Sequence, residues 1–389
     1  MSHSSTKCIL IARSCVVSLF LIWNVSMAQD SAKAIALSAD ATIIYQSAIN
    51  PNAIDNTREK PNDVTYSVDI FLQKEIAAIH GKTLMHLEGG QGKGVDNKLL
   101  LFNKVNRDAD EDNDVHISEA WYQQNFFKEK LSLTVGKLDA TVNWDNNAFT
   151  NDETKQFLRT IFRNNPTIEF PDNTPGLTIQ TQVPAWLEIS VGLLSSDGEL
   201  EKIDQDVFEI VQADFKTKFS DLEGNYRVIG WRNTSPHAKW TAPDSSANAY
   251  GFSVCLDQAL PMGIGAFARY GWENPNAYSL DAQAEDSVNF FSLEQSWSIG
   301  LNIQGKPWGR ENDLLALAVG SIVPSSDYKK ATNKTAESEG HLEAYYNARF
   351  NDHFAISPDY QLIWNPYGND VANGKESISV IGVRVQITF

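Results

Sequence analysis

The chain has 389 residues, with 32 Lys and Arg against 49 Asp and Glu, 42% apolar residues, and 19 Phe, 12 Tyr and 10 Trp. A formal charge of −17 argues against nucleic acid, whose phosphates call for a basic surface. A mean hydropathy of −0.31 and the lack of a long apolar run past the N-terminus exclude a helical membrane bundle, and the apolar and aromatic content excludes disorder.

In chain order, residues 1–28 read as a signal peptide. Lys7 and Arg13 supply a basic start, Cys15 to Val25 an apolar stretch too short to span a bilayer, and Ser26-Met27-Ala28 a cleavage site. Removal would take the charge from −17 to −19 by deleting Lys7 and Arg13, and would leave residues 29–389 as one domain. It would also leave Cys255 alone, so no internal disulfide or cysteine metal cluster is expected.

From Leu37 onward, segments of about ten residues alternate polar and apolar side chains between Gly, Asn, Asp and Pro clusters. Gly89-Gly90-Gln91-Gly92-Lys93-Gly94 lacks phosphate-loop spacing and reads as a hairpin turn. Asp108-Ala109-Asp110-Glu111-Asp112-Asn113-Asp114, with Glu119 at the twelfth position, has calcium-loop spacing. Val115 to Phe126 reads as a strand, however, so Glu119 is not expected to fold back, and a solvated acidic loop is the better reading. No metal or cofactor is expected.

Two good strands, Lys130–Asp139 and Gly176–Gln182, are joined by the insert Ala140 to Pro175, far beyond a hairpin turn. Thr150-Asn151-Asp152-Glu153 predicts a capping box leading into a helix over Thr154 to Arg163. Carrying Phe149, Phe157 and Phe162, the insert is expected to fold into a barrel and narrow it. Further on, Leu187, Ile189, Val191 and Leu193 interleave with Glu188, Ser190 and Gly192. Gly263-Ile264-Gly265 lies in an alternating strand and is no dinucleotide fingerprint. Leu342, Ala344, Tyr346, Ala348 and Phe350 oppose His341, Glu343, Tyr345, Asn347 and Arg349. Ile381, Val383, Val385, Ile387 and Phe389 alternate with Gly382, Arg384, Gln386 and Thr388.

Such period-2 segments are strands with one apolar and one polar face. About sixteen of them behind an export signal predict an all-β fold, a transmembrane antiparallel β-barrel of about 16 strands with a long inward-folded loop carrying a short helix. Three features favour the barrel over a soluble sandwich. The chain ends on an aromatic in a closing strand, the polar faces carry charge, and Trp186, Trp231, Tyr250, Trp272 and Trp364 sit near segment ends as an interfacial girdle. A barrel hydrolase would need Ser, His and a carboxyl on adjacent faces; His341 is the one strand histidine that reads as well placed, and no Ser pairs with it.

The stretches Ser118-Glu119-Ala120-Trp121-Tyr122-Gln123-Gln124-Asn125-Phe126 and Gly136-Lys137-Leu138-Asp139 resemble the OprB-type carbohydrate-selective outer-membrane porins. So do Trp144-Asp145-Asn146-Asn147-Ala148-Phe149-Thr150-Asn151-Asp152-Glu153-Thr154, Asn165-Pro166 and Phe170-Pro171-Asp172. Ala268-Arg269-Tyr270-Gly271-Trp272, Ser357-Pro358-Asp359-Tyr360-Gln361 with Asn365-Pro366, and Ile381-Gly382-Val383-Arg384 follow in the same order. The resemblance covers Val64 to Phe389; the acidic run within Lys98–Asp114 is not part of the pattern. It implies a sugar-permeable channel in a Gram-negative outer membrane, without enzymatic activity.

A sugar offers a hydroxyl rim and an apolar C–H face, so a selective passage needs planar hydrogen-bonding groups and an aromatic surface. The alternation places Glu119, Trp121 and Gln123 on one lumenal face, Phe267 and Arg269 on another, Glu343 and Arg349 on a third, and Arg384 on the closing strand. The insert adds Asn147, Phe149 and Asp152. Expected partners are sugar solutes, outer-membrane lipid and lipopolysaccharide, with a homo-oligomer left open. The acidic balance makes a general or cation-preferring porin the alternative.

Overall fold

The computed structural model describes residues 35–52, 61–109, 114–182, 184–198, 206–280, 282, 291–371 and 374–389. The signal peptide and Asp110–Asn113 of the acidic run lie outside the described residues. Among the described residues nineteen strands follow in chain order: β1 (Ala36–Ile49), β2 (Asn62–Ile76), β3 (Gly81–Gln91), β4 (His116–Phe126), β5 (Leu131–Leu138), β6 (Thr174–Gln182) and β7 (Leu187–Ser195). Next come β8 (Val207–Phe219), β9 (Leu222–Asn233), β10 (His237–Lys239), β11 (Ala242–Ser246), β12 (Ala249–Leu260) and β13 (Ile264–Glu273). The last are β14 (Ala277–Ser279), β15 (Leu293–Gln304), β16 (Leu314–Pro324), β17 (Glu339–Asn351), β18 (Phe354–Trp364) and β19 (Ile378–Thr388).

Sixteen of these close an antiparallel barrel in which, apart from the closure of β1 on β19, each barrel strand pairs with the barrel strands before and after it in the chain, and β10, β11 and β14 form a small separate sheet. Closure pairs β1 with β19 from Asp40 opposite Thr388 to Ile49 opposite Ser379. Beyond the ladder the Phe389 amide donates to the Ala39 carbonyl at 2.8 Å, so the terminal aromatic completes the closing strand. A closed cylinder leaves no unpaired edge, which lipid would not tolerate.

The pleat sorts the side chains with the polar groups inward. On β17 the odd-numbered Glu339, His341, Glu343 and Tyr345 are buried, while Phe350 on the even face is exposed. On β19 Gly382, Arg384 and Gln386 are buried while Ile381 and Val383 stand outward, and β7 hides Ser190 and Gly192 behind Ile189, Val191 and Leu193. Around the cylinder Thr42, Gln46, Gln212, Asp257 and Gln361 are buried, whereas Val135, Val228 and Leu317 are each 51% exposed. A sandwich in water would invert this distribution; a cylinder in lipid requires it.

Connections are short on one rim, as at Ser220-Asp221, Pro261–Gly263 and Asp352-His353, and long on the other. Ser220 and Asp221 both have positive φ (52° and 65°), the twist that a two-residue hairpin turn needs. Aromatics collect at both rims. Phe126, Phe127, Phe219, Trp308 and Phe350 are exposed beside the short turns, and Tyr250, Phe252 and Trp272 pack together on the outer face toward the long loops. Trp231 departs from the expected girdle. It is buried and faces inward, opposite Ile210 and Gly251, and stacks on Phe208, because its position in β9 shares the pleat of Arg227 and Ile229.

Gly89-Gly90-Gln91 also departs from expectation: these residues finish β3, and the chain then runs through residues 92–115 before β4. No hairpin turn occurs there. The helix expected over Thr154 to Arg163 is confined to Thr160–Arg163, with a second short helix at Ala140–Asn143. Asp152, rather than Thr150, caps a single turn by accepting from the Thr154 and Lys155 amides at 2.9 and 3.1 Å. The next amides, Leu158 and Arg159, donate at 2.7 and 3.0 Å to the Glu343 carboxylate across the lumen instead of to carbonyls four residues back. A tertiary acceptor has outcompeted the helix.

Candidate functional site

The segment between β5 and β6 crosses the lumen and is fastened to strands on several sides. Asp139, at the end of β5, accepts from the Thr141 amide at 2.7 Å and so starts the helix Ala140–Asn143. Trp144 then lies against Gly192 of β7, and Phe149 against Gly265 of β13. A Cβ at either glycine would come within 2.4 or 2.3 Å of the ring, so close approach of the loop requires glycine at both positions. Asn147 donates to the Leu256 carbonyl at 3.0 Å and accepts from the Phe149 amide at 3.0 Å.

Buried charge completes the seat. The Asp145 carboxylate accepts from the Asn165 amide at 2.7 Å and pairs with Arg269 Nε at 3.2 Å. Arg269 also donates to the carbonyls of Asp145 (2.9 Å), Thr150 (2.8 Å) and Phe162. Arg159 is fully buried, reaches Gln361 at 3.3 Å and the Asn103 carbonyl at 3.4 Å, and lies 4.0 Å from Glu339. Phe157 meets Tyr345 edge-on at 5.1 Å and Phe267 at 5.6 Å. Arg384 donates to the Glu153 carbonyl at 2.6 Å, with its guanidinium 5.5 Å over the Tyr345 ring.

The described part of the next loop, residues 92–109, enters the same space. The Phe102 amide donates to Glu339, both Gln46 and Gln361 donate to the Val105 carbonyl, and Asn52 bonds reciprocally with the Leu100 backbone. The two loops meet through Arg107 N–H to the Leu158 carbonyl (3.0 Å) and Thr160 N–H to the Lys104 carbonyl (3.3 Å). Within this loop burial pushes the Asp96 carboxyl up to about 6, opposed by the Val105 and Asn106 amides that donate to it at 2.7 and 3.0 Å. Asp108 accepts from the Ser67 hydroxyl at 3.0 Å; burial, and after it the Glu153 charge, lift its carboxyl well above the usual range. Glu153 goes the other way. Burial would raise it, but Arg163 at 2.5 Å and Arg107 together hold it below the usual carboxylate range.

A different wall faces the crossing segments. On β4, Glu119, Trp121, Gln123 and Asn125 share the inward face and are half-buried. Trp121 donates to Glu119 at 3.3 Å, the Lys82 ammonium stands 5.8 Å from the indole, and Gln123 donates to Asn125 at 2.7 Å. Trp121 sits directly opposite Gly136, whose φ of +145° and the 2.6 Å that would separate a Cβ from the Trp121 Cα exclude any other residue there. Further around, Arg227 bridges Asp257 (2.5 Å) and Asp214 (3.4 Å) across three strands. A hollow of about 600 Å³ opens on the short-turn rim beside Lys155, Gln304, Asp313 and Arg349. One of about 450 Å³ opens on the long-loop rim beside Glu169, Asp172, Trp231 and Glu273.

The residues singled out from the sequence therefore fall into separate groups. Asn147, Phe149, Phe267 and Arg269 are gathered where the crossing segment meets β12 and β13. Glu343 and Arg384 hold it from β17 and β19. Glu119, Trp121 and Gln123 stand together on β4, and Asp152 lies beside Lys155. Arg349 is apart from all of them, at the short-turn rim, where it bonds Asp352 at 3.2 Å and the Asn351 carbonyl at 3.3 Å. Glu119 lies in β4 with its carboxylate 3.6 Å from His86 Nδ1, and Asp110–Asn113 of the acidic run lie outside the described residues. His86, inward on β3, went unnoticed because its neighbourhood reads as a turn. Gln361, Glu339 and the loop 92–115 were also missed, although the apolar run Leu99-Leu100-Leu101-Phe102 is not what a solvated loop carries.

The family model of the carbohydrate-selective porin OprB family matches residues 64–389. This chain belongs to the OprB family. A structure of Pseudomonas putida OprB at high pH superposes with a TM-score of 0.76 at 14% identity, covering 91% of this chain and 94% of that one. An uncharacterized protein of Aquifex aeolicus is 27% identical over 261 residues, 67% of this chain and 65% of its own. Porin AaxA of Chlamydia trachomatis serovar L2 is 20% identical over 322 residues, 79% of this chain and 62% of its own. The chain thus spans a little under two thirds of the length of the curated relatives it matches. Family and fold together indicate a channel rather than an enzyme, placed in the outer membrane of a Gram-negative bacterium.

Proposed function

We propose that this OprB-family barrel is a passive diffusion channel for carbohydrates, passing mono- or small oligosaccharides, with the Ala140–Pro175 segment as its constriction. The observation that carries this reading is the β4 face, where the half-buried Trp121 indole lies between Glu119 and Gln123. The ring offers a surface for sugar C–H groups, and the carboxylate and amides take hydroxyls as they pass. Half-buried groups bind weakly enough to let a solute leave, which permeation demands.

In this reading Glu119, Trp121 and Gln123 touch the solute. Asn147, Phe149, Phe267, Arg269, Glu343 and Arg384 shape the opening by seating the segment, Asp152 sets its turn, and Arg349 meets the solute at the short-turn mouth. Lipid and lipopolysaccharide contact the apolar belt. Permeation through purified protein in proteoliposomes tests the proposal, comparing glucose, a disaccharide and amino acids of glucose size. Faster sugar entry supports it; equal rates at equal size would reduce the channel to a sieve.

A second reading, a cation-preferring porin for small polar solutes, is favoured by one feature. Glu169, Asp172 and Glu273 line the long-loop hollow, and no Lys or Arg is among its described lining residues. The same assay with lysine as solute separates the two readings.

A further inference from the structure

A cluster on the lumenal wall is used by none of the contacts that seat the loops. Asp69 on β2 lies directly opposite Glu88 on β3, and Phe71 directly opposite His86. All four point inward, because Ser67, two residues before Asp69, bonds Asp108 of the inward loop, and Glu119 beside His86 shares the face of Trp121, which packs against the buried residues of the crossing segment. Two carboxylates set directly across an antiparallel pair repel each other. Between Asp69 and Glu119 stands one imidazole, its Nε2 2.8 Å from Asp69 Oδ1 and its Nδ1 3.6 Å from Glu119 Oε1. Phe71 stacks on that ring at 4.2 Å and 20°, fixing its plane.

We propose that Asp69, His86 and Glu88 form a binding site for a divalent transition-metal ion of the zinc class. Ligand atoms from the three residues already lie within 4.8 Å of one another. Tetrahedral zinc with N and O ligands at about 2.0–2.2 Å holds its donors roughly 3.4 Å apart. Closing the set requires the Asp69 and Glu88 side chains to turn toward the imidazole. The ion replaces the contact between His86 Nε2 and Asp69, and its charge relieves the Asp69–Glu88 repulsion. Glu119 faces the opposite ring nitrogen, the place of the carboxylate that orients a metal-bound imidazole. Three protein ligands leave a fourth position to water from the lumen. All three side chains are partly exposed, with 12% and 13% of the His86 and Asp69 side chains accessible. Imidazole and the small ligand number favour zinc over calcium, which takes six to eight oxygens.

The inference is independent of which solute the channel passes, and its test reads metal binding alone. The full barrel in detergent, stripped with a chelator, is titrated with Zn²⁺ by calorimetry. One saturable site per chain is expected, weakened at least tenfold in His86→Ala and in Glu88→Gln, retained in the rim control His353→Ala, and not displaced by equimolar Ca²⁺. Glu88→Gln, isosteric and keeping the imidazole, carries the test if His86→Ala does not fold. The absence of a saturable site, binding unchanged in Glu88→Gln, or displacement by Ca²⁺ would each overturn the assignment.

Discussion

The wall built by β12 to β19 and the wall built by β2 to β6 use the same residue types for opposite ends. On the first, Arg269, Glu339, Glu343 and Gln361 are buried beneath the inward loops, and their polar groups are spent on backbone amides and carbonyls. On the second, Glu119, Trp121 and Gln123 bond one another or their strand neighbours and stay partly exposed. An inward Arg or Glu in a barrel is therefore not by itself a selectivity residue; what decides is whether a loop has claimed it.

The largest effect expected from breaking this contrast is at Glu343. Glu343→Ala removes the acceptor of two amides and strips Arg159 of a neighbouring charge. Losing one partner of a buried charged network costs about 3–5 kcal/mol. The crossing segment should detach, visible as a several-fold rise in single-channel conductance and faster hydrogen exchange at Leu158 and Arg159. Arg269→Ala should act in the same direction from the other side, releasing three carbonyls and the Asp145 carboxylate at a cost of about 2–4 kcal/mol. If either variant keeps wild-type conductance, the segment is not held by these charges. Trp121→Ala should leave ion conductance near wild type or slightly above it while removing the preference for sugars over amino acids of equal size.

A smaller effect follows from Asp96. Its carboxyl titrates near 6 in the folded loop against an ordinary value near 4. The folded state thus binds the extra proton between those values, and its stability falls as pH rises through the window. The 92–115 loop should be most firmly seated near pH 4–5 and loosest above 7, read as more frequent current fluctuations at pH 8 than at pH 5. Asp96→Asn should flatten that dependence. Arg349→Ala is expected to change least, since its side chain is half exposed at the mouth and pairs only with exposed partners.

The closed barrel was legible because one-sided burial imposes a period of two that any strand displays. On β17 the alternation from His341 to Arg349 predicts each inward side chain. The inward contacts were less legible, since nothing local in Glu343 says that it will capture the Leu158 and Arg159 amides and cut the expected helix back to Thr160–Arg163. Trp231 was misplaced because nearness to a strand end suggests a girdle, whereas the pleat dictates the face. The loop 92–115 was overlooked beside its own signal, the Leu99–Phe102 run, because its glycines suggested a hairpin turn.

The most direct test of sugar passage along the Trp121 face is a titration of single-channel ion current with glucose, in the wild type and in Trp121→Ala. Glucose should lower the wild-type current in a saturable manner, and the variant should lose most of this block while conducting ions normally. An unchanged block in the variant would contradict passage along this face and shift the solute path to another part of the lumen.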